Sequence, residues 1–231
     1  MTSTSTDKFH INNHRMDYCF THPDSKLLFV NIPKNASTSI RKSLGLTKCT
    51  KYKDVINSKH ITFTVLRNPI HRAISSYLEM SKLREDGPYY VTKTLLWYKK
   101  ALSWYELNHI TDSFITFLDE IKGNFYDPHC FPQIKSLLDK SLTIDKLDEI
   151  IIFENLIPDY NNFIEKYNIT NAHLKKETAG KHNKKKRLMQ FVENNKEIQN
   201  KIIDLYPDDY ELYLKVTKDT RNWRSGVIPR T

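Results

Sequence analysis

Glycine is scarce in this chain: there are five in 231 residues, and none lies between Asn31 and Ser43. That excludes collagen-like and linker-like classes. Cysteine is as sparse. Cys19, Cys49 and Cys130 stand far apart, no C-x-x-C occurs, and an odd count does not close into a disulfide framework. No zinc-ligand spacing is present either, so no metal site is expected. Long apolar runs are also missing. Nothing approaches the ~20 consecutive apolar residues of a membrane span. The polar start from Met1 to Asp7 lacks the apolar core of a signal peptide. The sequence as written therefore reads as a soluble, cytoplasmic protein.

What the chain does have is positive charge, with 36 Lys and Arg against 27 Asp and Glu, a formal net charge of +9. Such an excess concentrates anionic partners around a protein without saying which. No basic recognition helix or stacking module of a nucleic-acid binder accompanies it, so nucleic acid is not the expected partner. Residues 1–25 read as a flexible N-terminal segment, a frayed start followed by a loop, and 26–231 as a single domain.

Within that domain apolar runs alternate with helical patterns. Lys26 to Ile32 and Ile61 to Leu66 read as strands buried on both faces, and a third strand lies within Leu147 to Phe153. Helices are expected over Ser37 to Leu44, stopped by Gly45, over about Ile70 to Leu83, from about Pro158 to Tyr167, and from Arg187 to Tyr206. Residues 84–132 look mainly helical. The alternation predicts an α/β fold: a P-loop-like central parallel β-sheet flanked by helices, with a helix-rich middle and C-terminal part.

The most informative segment runs strand, loop, helix through Ile32-Pro33-Lys34-Asn35-Ala36-Ser37-Thr38-Ser39. A helix start offers unpaired N–H groups and partial positive charge. Lys34 adds a full charge, and Ser37, Thr38 and Ser39 add hydroxyls, which together suit a phosphate or sulfate. It is not a Walker A loop, whose two glycines are absent. A second segment, Arg67-Asn68-Pro69-Ile70-His71-Arg72-Ala73-Ile74-Ser75-Ser76-Tyr77, leaves the carboxyl end of the second strand, where open α/β sheets place their ligands. Arg67 and, two helical turns on, Ser75 suit a terminal phosphate.

Together these segments resemble the nucleotide-binding motifs of the sulfotransferases that use 3′-phosphoadenosine 5′-phosphosulfate (PAPS). That family pairs P-K-x-x-S-T-S with R-[DN]-P-x-x-R-x-x-S-x-Y, and every fixed position of the second pattern is filled here. Further stretches resemble the carbohydrate (Golgi-type) branch. The run from Phe125 to Gln133 is similar to its H-W-x-P-Q segment, with Cys130 where that branch has Trp. Phe153-Glu154-Asn155-Leu156 is similar to F-E-x-L, and Tyr206-Pro207-Asp208-Asp209-Tyr210 to the closing Y-x-x-D-[FY]. The glutamate and K-E-x-x-F-F of the heparan 3-O type are missing. A Golgi lumen location fits the resemblance if an anchor lies outside the given sequence.

The resemblance implies transfer of a sulfuryl group from PAPS to a hydroxyl, with PAP as product and no metal. Lys34, Asn35, Ala36, Ser37, Thr38 and Ser39 would grip the 5′-phosphosulfate, with Lys34 stabilising charge on the departing oxygen. Arg67 and Ser75 would hold the 3′-phosphate. The basic stretch from Lys175 to Arg187, Lys184 included, would cover the nucleotide. Arg72 is expected to be structural, pairing with a carboxylate. The acceptor needs a base; His129 is the first candidate and His60 the second. A glycan is the expected acceptor, with protein, lipid and small-molecule hydroxyls as alternatives. A nucleotide-dependent phosphotransferase, a polyanion binder and a PAP-binding protein without chemistry stay open.

Overall fold

The computed structural model describes residues 18–22, 26–52, 55, 59–85, 109–122, 128–138, 140, 142–170, 172–174 and 183–224. In chain order the elements are β1 (Tyr18–Thr21), β2 (Leu27–Val30), α1 (Ser37–Ser43), β3 (Lys48–Lys51), β4 (Ile61–Leu66), α2 (Pro69–Glu85), α3 (Ile110–Ile121), α4 (Gln133–Leu138), β5 (Glu149–Ile152), α5 (Leu156–Lys166), α6 (Asn183–Glu193), α7 (Lys196–Leu205) and α8 (Pro207–Arg224). Short 3₁₀ turns at Ile144–Lys146 and Phe153–Asn155 flank β5. The expected helical content between 86 and 108 lies outside the described residues.

The strands form one sheet in the order β3-β1-β2-β4-β5. β2, β4 and β5 are parallel neighbours, with Val30 opposite Thr64 and Leu66 opposite Ile152. β1 runs antiparallel to both its neighbours, pairing Phe20 with Phe29 on one side and Cys49 on the other. The fold is thus α/β with a mostly parallel sheet flanked by helices. β1 corrects the loop expected over its residues: Tyr18–Thr21 is a run of β-formers whose Cys19 and Phe20 are buried.

Alternation along the strands sorts side chains to two faces. Leu27, Phe29, Phe63, Val65 and Ile151 point to one face and pack on Ile40 of α1, Leu44 just after it, and Tyr160 and Phe163 of α5. Phe63 stacks against both Phe29 and Phe163, at centroid distances of 5.1 and 4.6 Å. Leu28, Val30, Leu66 and Ile152 face the other way, onto Tyr52, Leu137 and Val216. A third cluster holds α2, α3, α6 and α7 together through Ile74, Tyr77, Phe114, Leu188 and Ile202. No helix among the described residues is long and apolar enough to cross a membrane.

Local chemistry sets the boundaries. Gly45 adopts φ 62° after α1, and Leu46 N–H returns to the Arg41 carbonyl at 2.9 Å, a Schellman stop. Asn68 caps α2 by accepting from Ile70 N–H at 2.9 Å, ahead of Pro69 at the first helical position. The helix expected from Arg187 to Tyr206 is two helices: Asn195 accepts from Ile198 N–H at 3.1 Å and starts α7 afresh.

Candidate active site

The carboxyl ends of β2, β4 and β5 lie side by side. They release, in turn, the loop from Asn31 to Ala36, the pair Arg67-Asn68, and Phe153-Glu154. The first loop does without glycine yet turns left-handed twice, at Lys34 (φ 69°) and Ala36 (φ 57°). Non-glycine residues rarely hold that conformation, and they persist in it only where surroundings enforce it.

The enforcing contacts are visible. Asn35 is fully buried and its Nδ2 donates to the Val65 carbonyl at 2.7 Å and to Gln133 Oε1 at 2.5 Å. Ser37 Oγ donates back to the Ile32 carbonyl at 3.0 Å. Arg72, 1% exposed, donates from Nε to the Pro33 carbonyl at 3.2 Å and from Nη2 to the His129 carbonyl at 3.3 Å. Its hydrogen bonds to Pro33 and His129 go to carbonyls rather than to the carboxylate expected. The carboxylate that feels its charge is the buried Asp209, whose pKa burial raises against the opposing pull of Arg72. Asn35, expected to contact the donor, turns its Nδ2 inward to Val65 and Gln133, while its Oδ1 is buried with no hydrogen-bond partner among the described residues.

Gln133 is the hub of this buried network. Its Oε1 accepts from the Arg67 N–H at 3.0 Å, and its Nε2 donates to the Arg67 carbonyl at 2.9 Å. Gln133 and Ile134 N–H groups in turn donate to the two Asp209 oxygens at 2.7 and 2.8 Å, which cap the start of α4. Tyr206 O–H donates to the Cys130 carbonyl at 2.8 Å.

Arg67 itself is 4% exposed. Its Nη1 donates to the Lys34 carbonyl at 2.8 Å, and its guanidinium lies 4.0 Å from the centre of the Phe153 ring. Its Nε is buried with no hydrogen-bond partner among the described residues. Burial lowers its pKa to about 10, partly offset by nearby Glu154, and Arg72 lowers it further. An undersolvated guanidinium with an unused donor is a ready partner for an incoming anion. Lys185 on α6 is half-buried, and its pKa is lowered by burial and then by the charge of Arg67. Lys184, the candidate expected from the sequence, is exposed one residue earlier.

Lys34 Nζ donates to Glu79 Oε2 on α2 at 3.1 Å. Glu154 accepts from Asn68 N–H and pairs with His71 Nδ1, both at 3.1 Å, and accepts from Tyr213 O–H at 3.2 Å. Ser75 sits half-buried on the second turn of α2, Ser39 is half-buried, and Thr38 is exposed at the start of α1. A cavity of about 170 Å³ opens beside Asn68 and His71, lined also by Ile74 and Met189.

The two histidines part company. His129 is fixed to α2: its carbonyl accepts from Ser76 Oγ at 2.5 Å as well as from Arg72. His60 precedes the first residue of β4, so a strand length of roughly 20 Å separates it from Arg67 at the other end. The structure does not bring it to the site. Among the described residues no three His, Cys, Asp or Glu side chains gather as a metal site. Sequence reasoning gave no role to Glu79 and took Gln133 only as part of a resembling segment; Lys185 lies in the basic stretch expected to cover the nucleotide, of which 175–182 fall outside the described residues. Glu79 was within reach of such reasoning, since Arg72, Ser75 and Glu79 recur at helical spacing on one face.

The chain matches the sulfotransferase family model over residues 41–215, well over half its length, and belongs to that family. It is therefore an enzyme of sulfuryl transfer. The match starts inside α1, just past the loop, and takes in the Arg67 segment, Gln133 and Asp209. No curated protein and no solved structure gives a significant match.

Proposed function

We infer that the protein transfers a sulfuryl group from PAPS to a hydroxyl of a carbohydrate and releases PAP. The observation that carries this reading is Arg67: a buried cation at the carboxyl end of β4, tied to the Lys34 carbonyl, with Nε unused. PAPS supplies the activated sulfuryl group. Arg67 and Ser75 would hold its 3′-phosphate, with Lys185 and Lys184 covering it from α6. Lys34 and the Ser37–Ser39 hydroxyls would hold its 5′ end, where Lys34 offsets the charge gathering on the leaving oxygen. Ala36 contributes backbone at the left-handed turn. His129, anchored by its carbonyl, would take the acceptor proton through its imidazole. A glycan acceptor is supported by the segments around Gln133, Glu154 and Asp209, which resemble the carbohydrate branch and meet around the donor loop.

The test is calorimetric titration with PAP, with ADP and 5′-AMP as controls. Micromolar PAP binding, much weaker ADP binding and loss of PAP binding in Arg67→Ala are the expected results. A screen of desulfated glycans with ³⁵S-labelled PAPS, insensitive to EDTA, then identifies the acceptor. Equal affinity for PAP and ADP would overturn the donor assignment.

A further inference from the structure

Four cations converge on the donor loop: Lys34 within it, Arg67 and Arg72 against its carbonyls, and Lys185 close enough for Arg67 to shift it. Cations gathered like this repel one another when no anion is bound. Among the described residues, Lys34 is the one of the four that forms a direct ion pair with a carboxylate. Lys34 Nζ lies 3.1 Å from Glu79 Oε2, with 19% and 32% of the two side chains exposed. Glu79 is four residues beyond Ser75 on α2, so the two share a helix face that lies over the loop.

A carboxylate at this place looks adverse to an enzyme whose donor is a polyanion, because like charges brought together raise the cost of binding. It becomes intelligible if the donor displaces it. We propose that Glu79 is the resting counter-ion of Lys34 and an intramolecular competitor of the donor's 5′-phosphate. In the donor-free protein it holds the ammonium on α2. An anionic 5′ end draws Lys34 off Glu79 and onto itself. Glu79 thereby sets donor affinity specifically through the 5′ end, leaving the 3′-phosphate contacts untouched. This rests on the reading that Lys34 serves the 5′ end of the donor, and it makes Glu79 a positioning residue rather than a catalytic one.

The experiment is a double-mutant cycle read by calorimetry with PAP, adenosine 3′-monophosphate and ADP. Glu79→Gln keeps the shape and removes the charge. It should tighten PAP by roughly fivefold, the scale of a partly exposed pair, and leave adenosine 3′-monophosphate, which has no 5′-phosphate, unchanged. In a Lys34→Met background the same substitution should no longer tighten PAP. If Glu79→Gln leaves PAP affinity unchanged or weakens it, the proposal is wrong. Equal tightening of both nucleotides, or tightening that survives Lys34→Met, would show a general field effect and also overturn it. A parent protein that does not prefer PAP over ADP overturns the donor reading itself, and the inference with it; a PAP preference indifferent to Glu79 overturns the inference alone.

Discussion

Gln133 reads the backbone of Arg67 from both sides, accepting from its N–H at 3.0 Å and donating to its carbonyl at 2.9 Å. The position of Arg67 is therefore set by a side chain 66 residues away. Gln133→Leu would strand these two groups and the Asn35 carboxamide in a dry interior. We expect a stability loss of about 2–4 kcal/mol, the cost of several buried polar groups left unmatched. Urea unfolding should show a lower midpoint at an unchanged slope, and whatever variant remains folded should bind PAP weakly.

Lys185 and Lys184 are adjacent in sequence but differently placed. Lys185 is half-buried and electrically coupled to Arg67, while Lys184 is exposed. Lys185→Gln should weaken PAP roughly tenfold, as the loss of a charged hydrogen bond would. Lys184→Gln should weaken it less, and the ratio of the two dissociation constants is the measurement.

His129 offers a clean separation of structure from chemistry. Its carbonyl is what Arg72 and Ser76 hold, so removing the imidazole leaves those bonds in place. His129→Ala should lose roughly 10²–10⁴-fold in turnover, the range of general base catalysis, with PAP affinity intact. Turnover near that of the parent would rule out the imidazole as base.

Glu154 gives the pH dependence. Burial raises its pKa, but hydrogen bonds from His71 and the Asn68 N–H, with the charge of His71, outweigh that and bring it below the ordinary 4.5. A carboxyl with a depressed folded pKa adds stability above its unfolded pKa and loses it as pH falls through the folded value. Glu154→Gln should thus be less stable than the parent at neutral pH. The gap should close below about pH 4, read as thermal midpoints across a pH series.

Much of the frame was legible from residue pattern alone. The strand Ile61 to Leu66 coincides with β4, and Arg67 leaves the carboxyl end of this interior strand. Continuous apolar runs mark doubly buried strands, and Gly45 marks a helix stop. β1 (Y-C-F-T) and β3 (K-C-T-K) escaped because neither carries the Leu-, Ile- or Val-rich run that marks β2 and β5. In the site, the cations were legible and their supports were not. Gln133 and Asp209 act on backbone N–H and carbonyl groups, and a backbone partner leaves no trace in the sequence of the residue that supplies it. His60 and Arg67 flank opposite ends of β4, a separation that sequence order alone does not display.

Asp209 belongs to the last described helix, and its carboxylate caps the helix that begins with Gln133. This imposes a timetable on synthesis. A chain emerging from the ribosome makes Lys34 and Arg67 early, but the clasp that fixes them waits for residue 209. Until α8 has been made and docked, the nascent protein carries an assembled set of cations without a finished cradle. The cations are thus fixed in place only once the chain has been made past residue 209.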